Sequence, residues 1–366
     1  MKQELSDAEL ETYSRQIALV DIDYDGQLKL RNAKACIIGL GGLGSMIAQK
    51  LVGMGIGYLR LVDRDIVSRS DLHRQYLYDV DSVGQPKVEV ALRKLSRLNP
   101  DVNLDPIPES LNSTNADEVI GGVDVVVDGL DRPEPRYLLN RTCNKLNIPY
   151  VFGAAIEAFA NVSTIMPGQT ICLECIMPGL KDDDVPKCGV VGVHPSALGI
   201  VTSLQVLEAV RLLIGQEPKL ANKLLYIDLR AMEFNTINID RLESCSVCGT
   251  QPEGLPEPLE EKLFEETCAR DGRRNFVISP TERIEIDLEK LRSLLSQRNF
   301  RIKTSTKFGI TFEQSDDIST SILKSATMIT QTSPELKTNP KDEVLATYKS
   351  LVIEGLGLSP DLLPEA

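Results

Sequence analysis

Tryptophan is absent from this chain of 366 residues, histidine occurs only twice, and the basic residues fall short of the acidic ones by enough to leave a net charge of −13. The missing tryptophan decides little, but the other shortages exclude function classes. A surface this acidic repels nucleic acid at long range, so no nucleic-acid partner is expected and any phosphate chemistry must rest on a few local cations. His194 precedes Pro195 and suits a helix N-terminus or a local hydrogen bond, His73 suits a place behind a site, and neither is needed as a general base. Long uninterrupted apolar runs are also missing. The stretch from Ala197 to Ile214 is broken by Gln205, Glu208 and Arg211, each costly at the centre of a bilayer, so it reads as a buried helix and no membrane association is expected. The opening Met1-Lys2-Gln3-Glu4 lacks the apolar core and small-residue cleavage site of a signal peptide, and the expected compartment is the cytoplasm. No internal repeat is visible.

What is present is an ordinary globular composition, with 42% hydrophobic and 25% charged residues, in a chain long enough for two domains. Ser6 followed by Glu9 is a capping-box signal ahead of helically spaced Leu10, Tyr13 and Ile17, predicting a helix from Ser6 to about Leu19. From Ala33 onward short Val/Ile-rich runs alternate with helical segments: Ala35–Ile38, a glycine-rich turn and a helix to Met54, Leu59–Val62, a helix over Val88–Leu98, Val102–Ile107, and Val123–Val127. Continuous apolar strands between helices predict an α/β fold, a Rossmann-like, mostly parallel sheet covered on both faces. Beyond Pro149, the runs Ala158–Met166, Lys223–Asp228 and Glu233–Asp240 predict an antiparallel extension. Three prolines and six glutamates between Gln251 and Thr267 read as a linker. The expected division is therefore a large α/β domain over 1–250, an acidic linker over 251–267 and a small α+β domain over 268–366. In that domain strands are expected near Phe276–Ile278, Phe300–Thr304, Gly309–Phe312 and Ser319–Leu323, with helices near Leu288–Gln297 and Asp342–Ile353.

Gly39-Leu40-Gly41-Gly42-Leu43-Gly44 follows a strand and opens a helix, so its backbone can approach phosphates at a helix N-terminus. Asp63, ending the second strand, is placed to bond ribose hydroxyls. These two features fit NAD as well as ATP. The next segment separates them: Ser70-Asp71-Leu72-His73-Arg74-Gln75, then Gly84-Gln85-Pro86-Lys87 at a helix start. Joining a carboxylate to a triphosphate requires local cations, which Arg74 and Lys87 can supply.

With Tyr13-Ser14-Arg15-Gln16, Leu61-Val62-Asp63-Arg64-Asp65, Asp128-Gly129-Leu130-Asp131 and four paired cysteines added to these motifs, the chain resembles the ThiF/MoeB/HesA family, relatives of ubiquitin-activating enzymes, from about Ser6 to Gly249. The resemblance implies ATP-dependent adenylation of the C-terminal carboxylate of a ubiquitin-like or sulfur-carrier protein ending in Gly-Gly. It implies a nucleotide site drawn from Gly39, Gly41, Gly42, Gly44, Asp63, Asp65, Ser70, Asp71, Leu72, His73, Arg74, Lys87, Asp131 and Arg132. In it Gly42 and its neighbours lie against the nucleotide, Asp63 holds the ribose, Arg74 and Lys87 hold phosphates, and Asp131 lies near Mg²⁺ and the α-phosphate. Arg15 would reach into the partner subunit's site, which implies a homodimer. Two positions depart from the family: Asp71 and Arg132 stand where it has asparagines. The expectation is either a compensating ion pair between them, or Asp71 near Mg²⁺ with Arg132 in solvent.

Cys172-Leu173-Glu174-Cys175 and Cys245-Ser246-Val247-Cys248 are two Cys-x-x-Cys pairs whose thiolates would saturate a tetrahedral Zn²⁺ and leave no open position, a structural site. Cys188 lies in a glycine-rich loop beside Lys187, a setting that lowers a thiol pKa. Relatives place there a cysteine that takes the activated acyl group, so Cys188 joins Arg74, Arg15 and Asp131 as a candidate catalytic residue. Cys36 and Cys143 read as packing residues. Competing readings are an NAD-dependent dehydrogenase, which leaves Arg74, Lys87, Asp131 and Arg15 unexplained, and a non-enzymatic scaffold binding a ubiquitin-like protein. Cys268-Ala269-Arg270-Asp271-Gly272 only superficially resembles a rhodanese loop, since its glycine is one position late. By analogy with ubiquitin-activating enzymes, the C-terminal domain is expected to recruit a downstream carrier, acceptor or sulfur donor. The pathway served (molybdopterin, thiamin, tRNA thiolation or protein conjugation) stays open at this level.

Overall fold

A computed structural model describes residues 3–184, 191–259, 263–268, 274–333 and 340–364. At its start the Ser6 hydroxyl accepts from the Glu9 amide (3.3 Å) while the Glu9 carboxylate accepts from the Ser6 amide (2.9 Å), the expected capping box. The single helix expected to Leu19 is instead split into Asp7–Thr12 and Ser14–Ile17, followed by an unforeseen helix over Asp23–Asn32. The break is Tyr13, whose ring is buried against Gly55 and whose hydroxyl accepts from Asn99 Nδ2 at 2.7 Å.

The first sheet contains β1 (Lys34–Ile38), β2 (Tyr58–Val62), β3 (Asn103–Ile107), β4 (Val125–Asp128), β5 (Tyr150–Ile156), β6 (Phe159–Ile165), β7 (Lys223–Asp228) and β8 (Glu233–Asn238). Their order is β3-β2-β1-β4-β5-β6-β7-β8, parallel from β3 through β5 and antiparallel beyond. Burial on both faces explains the unbroken apolar strands. Ala35 and Ile37 of β1 join one core with the helices Gly44–Gly53, Lys87–Leu98 and Pro195–Leu213, while Cys36 and Ile38 join another with Ala116–Ile120 and Pro133–Leu146. Cys36 and Cys143 are both fully buried there, as expected of packing residues, and burial pushes the Cys36 thiol up to about 12.

The helix Pro195–Leu213 is long and apolar enough to cross a membrane by length and composition, yet it packs across β5 and β6, where Gln205 and Glu208 find hydrogen-bond partners. Gln205 Nε2 donates to the Asp128 carbonyl at 2.8 Å, and the Glu208 carboxylate accepts from Thr164 Oγ1 and the Leu220 amide, each at 2.8 Å. A Cβ at Gly153 of β5 would lie 2.3 Å from the Gln205 side chain, so that glycine permits the helix's close approach.

A second sheet follows, with β9 (Phe264–Cys268), β10 (Arg274–Ile278), β11 (Arg301–Ser305), β12 (Gly309–Ser315), β13 (Ile318–Leu323) and β14 (Met328–Thr332) in the antiparallel order β11-β12-β13-β14-β10-β9. Helices Leu288–Gln297 and Lys341–Tyr348 complete a separate core around Phe276, Leu291, Phe312 and Tyr348. Two strands here were not foreseen. The acidic segment read as linker through Thr267 becomes the edge strand β9 from Phe264 onward, because Phe264 packs on Phe276 (ring centroids 6.1 Å apart) and its backbone pairs with β10. The hairpin into β14 turns at Ala326 with φ +61°, so no glycine or asparagine signals it.

The second unit rests on the turn that leads to Lys87. Thr304 and Thr311 hydroxyls both donate to the Gly84 carbonyl at 2.8 Å, the Phe308 amide donates to Glu89 at 3.0 Å, and Arg283 pairs with Glu109 at 3.0 Å.

Candidate functional site: a nucleotide crevice and a four-cysteine cluster

The glycine turn leaves β1 at the carboxyl end of the parallel strands, where such sheets open a ligand crevice. Gly39 has φ +89°, and a Cβ there would lie 2.7 Å from the Gly129 carbonyl; at Gly44 it would lie 1.7 Å from the Gly39 carbonyl. Those two glycines are therefore required by the fold. Gly42 is crowded only by the flexible Leu198 side chain, and a Cβ at Gly41 would meet nothing nearer than Gln75 Nε2 at 3.9 Å. The bare backbone at Gly41 is thus not explained by the protein's own packing.

Around this turn, acids and cations from β2 and the following loop converge. Asp63 accepts from the amides of Leu40 and Asp65, each at 2.6 Å, which fixes its carboxylate between the two loops. Burial pushes its carboxyl up to about 6 despite the pull of Lys87. Lys87 is almost wholly buried and donates to Asp65 at 3.0 Å. Burial alone would lower the ammonium pKa, but Asp65, Asp63 and Asp71 outweigh it and hold the group well above its usual value. Asp71 is buried, accepting from the Ser68 amide and Gln75 Nε2 at 2.9 Å each. Arg74 folds onto its own turn, donating to the Ser70 carbonyl at 2.7 Å and lying 3.5 Å from Asp71. Leu72 packs against the core beneath, and Ser70 and His73 are exposed.

On the β4 side, Asp128 is fully buried and bonded to Arg136 Nε (2.9 Å), the Tyr150 hydroxyl (2.7 Å) and the Leu130 amide (2.8 Å). This pins the loop that presents Asp131, which is exposed and makes no hydrogen bond or ion pair to a described residue. Neither expectation for Arg132 holds. Its guanidinium meets Glu265 at 2.9 Å and Asp182 at 3.4 Å, while Asp71 is satisfied by Ser68, Gln75 and Arg74 within its own turn. Glu265 also takes Arg64 in a two-pronged pair at 2.6 and 2.9 Å. Tyr78, whose hydroxyl donates to the Leu40 carbonyl at 2.9 Å, joins Arg136 and Glu265 among contributors that sequence reasoning did not single out. Tyr78 and Glu265 act through contacts distant in sequence, which leave no local signature.

The paired cysteines come together beyond β6 and β8. All four sulfurs lie within 4.8 Å of one another, with Cys172 to Cys245 at 3.7 Å and Cys175 to Cys248 at 3.5 Å. A tetrahedron with Zn–S bonds of about 2.3 Å has edges of about 3.8 Å, so the donor set fits that ion. Gly249 closes the second knuckle, since a Cβ there would lie 2.3 Å from the Glu243 carbonyl. His194 caps its helix, Nδ1 accepting from the Ser196 amide at 3.1 Å, as its position before Pro195 suggested. Arg15 is exposed on Ser14–Ile17. Cys188 lies outside the described residues.

Comparison with known proteins gives a consistent picture. Residues 13–247 match the ThiF family. SAMP-activating enzyme E1 of Haloferax volcanii is 36% identical over 266 residues, covering 72% of this chain and 97% of that protein. Adenylyltransferase and sulfurtransferase MOCS3 of Drosophila virilis is 36% identical over 314 residues, 84% of this chain and 69% of that protein. Among solved structures, E. coli MccB with ATP superposes at a TM-score of 0.58 and 26% identity over 65% of this chain and 74% of its own. The glycine turn, the acids and cations around Lys87 and the four-cysteine cluster all lie within or at the border of the matched segment, and the chain belongs to the ThiF family.

Proposed function

We propose that this protein uses ATP to adenylate the C-terminal glycine carboxylate of a small ubiquitin-like or sulfur-carrier protein ending in Gly-Gly. The observation that carries the reading is Lys87, a buried ammonium among Asp63, Asp65 and Asp71 beside the glycine turn. In a chain of net charge −13 it is the kind of local cation that binding a triphosphate demands. Supporting it, two relatives are named as an activating enzyme E1 and an adenylyltransferase. In this reading Asp63 accepts from the ribose hydroxyls, the backbone at Gly41 and Gly42 meets the phosphates, and Lys87 and Arg74 offset their charge. Mg²⁺ held at Asp131 would supply further charge neutralisation on the phosphate oxygens. One oxygen of the partner's carboxylate attacks the α-phosphorus, the bond to the bridging β-phosphate oxygen breaks, and pyrophosphate leaves. Where transfer follows, the Cys188 thiolate attacks the acyl carbon and AMP departs. The reading includes a structural Zn²⁺ on the four cysteines, a homodimer in which Arg15 reaches the partner subunit's site, a cytoplasmic location and a downstream carrier or sulfur donor.

Labelled pyrophosphate should exchange into ATP only when a ubiquitin-like protein with an intact C-terminal Gly-Gly is present. Exchange that ignores removal of the terminal glycine, or none with any such partner, would overturn the reading.

The raised Asp63 pKa adds a pH dependence with two opposite signs. Only the ionised carboxylate accepts freely from the ribose, so ATP affinity measured by calorimetry should weaken as pH falls through about 6. The contribution of Asp63 to folding stability runs the other way. The folded carboxyl holds its proton more tightly than the unfolded one, so that contribution is complete below about pH 4 and is lost as pH rises through about 6.

A further inference from the structure

We propose that Glu265, supplied by the second sheet, is a positioning residue of the adenylating site that holds Arg64 and Arg132 away from the carboxylates serving the nucleotide. The proposal rests on the adenylation reading. Strand alternation sets the geometry: on β9, Glu266 pairs outward with Arg274 at 2.5 Å, while Glu265 faces the crevice with its side chain only 10% exposed. One oxygen takes Arg64 Nη1 at 2.6 Å, and the other takes Arg64 Nη2 and Arg132 Nη1, both at 2.9 Å. A single carboxylate thereby joins the loop after β2 to the loop after β4 across the mouth of the crevice.

The sequence neighbours of the two arginines give this arrangement its meaning. Arg64 sits between Asp63 and Asp65, and Arg132 directly follows Asp131. Without Glu265, the carboxylates closest along the chain to these two guanidinium groups are the acids assigned to ribose, Lys87 and metal. Arg132 would keep only its longer contact to Asp182 (3.4 Å) and Arg64 only the neutral Ser110 hydroxyl (2.9 Å). Capture of Asp131 by Arg132 would withdraw the metal's ligand, and both guanidinium groups would be left under-neutralised beside the phosphates. Glu265 also accounts for arginine at position 132, whose shorter ion pair, 2.9 Å against 3.4 Å to Asp182, comes from the unit appended beyond the matched family segment. That unit is accordingly part of the site, and the adenylating segment is incomplete without it.

The test is Glu265→Gln in the full chain, with folding checked by thermal melt. Pyrophosphate exchange should fall about tenfold in kcat while the apparent KM for ATP falls, since the freed arginines attract phosphate but the metal's carboxylate is lost. A merely structural defect would lower the rate and raise KM together. Adding Arg132→Asn should return about threefold or more of the lost rate, a non-additive cycle. If Glu265→Gln does not fold, Glu265→Asp, which keeps the charge with a shorter reach, carries the same comparison. Unchanged kcat, a raised KM, or no recovery in the double variant would overturn the proposal. Calorimetric ATP binding needs no protein partner and separates the two readings. Absence of exchange in the unsubstituted protein counts against adenylation, whereas failure of Glu265→Gln to tighten ATP binding counts against the role given to Glu265.

Discussion

Substituting Lys87 by methionine should cost about 100- to 1,000-fold in the rate of ATP-dependent pyrophosphate exchange and, separately, about 3–5 kcal/mol of folding stability. The two losses have one origin. The ammonium is nearly inaccessible to water and faces Asp65 at 3.0 Å, with Asp63 and Asp71 close enough to hold its proton firmly. Methionine matches its length and keeps the packing, so the substitution removes charge with little change in shape. The surviving carboxylates then repel one another and any incoming triphosphate. Arginine in its place should fail more mildly, because it restores charge with a planar head the pocket is not shaped to hold. Denaturant titration and exchange assays on the same preparations check both losses, and an active Lys87→Met protein would remove the central support for the proposed function.

The second large effect is expected at the cysteine cluster. Cys172→Ala or Cys248→Ala should abolish stoichiometric zinc, one ion per chain in the unsubstituted protein, and lower stability by on the order of 5 kcal/mol. Four sulfurs gathered at van der Waals distance with no disulfide among them are poorly arranged without an ion, and both Cys172 and Cys248 are buried. The cluster ties the segment after β6 to the segment after β8, so losing it should loosen the antiparallel extension before it touches the glycine turn. Elemental analysis and melts with and without chelator measure this; folded, active protein free of zinc would disprove it.

Much of this was readable from the chain because the signals are local. Alternation of apolar runs and helices announces a parallel sheet, glycines between a strand and a helix announce a tight turn, and two Cys-x-x-Cys pairs announce a cluster of four sulfurs. The buried helix Pro195–Leu213 was legible for a related reason, since Gln205 and Glu208 make sense only with partners, and both have them. What escaped depends on contacts between distant segments. Tyr13 ends its helix because a pocket formed by Gly55 and Asn99 receives it. Glu265 sits in a glutamate-rich stretch whose composition argues for solvent, and only the pairing of β9 with β10 turns it inward. The ion pair expected between Asp71 and Arg132 fails for the same reason: Asp71 is satisfied within its own turn, while the acids that meet Arg132, Glu265 and Asp182, are remote from it in the chain.

The close approach of Gly39 to Gly129 and of Gly44 to Gly39 has a thermodynamic consequence for ligand binding. Backbone lies against backbone at these points, so the glycine turn and the loop before Asp131 are ordered together when the sheet forms. Conformational entropy of both segments is therefore lost during folding and not when the nucleotide arrives, which leaves more of each contact's free energy to appear as affinity.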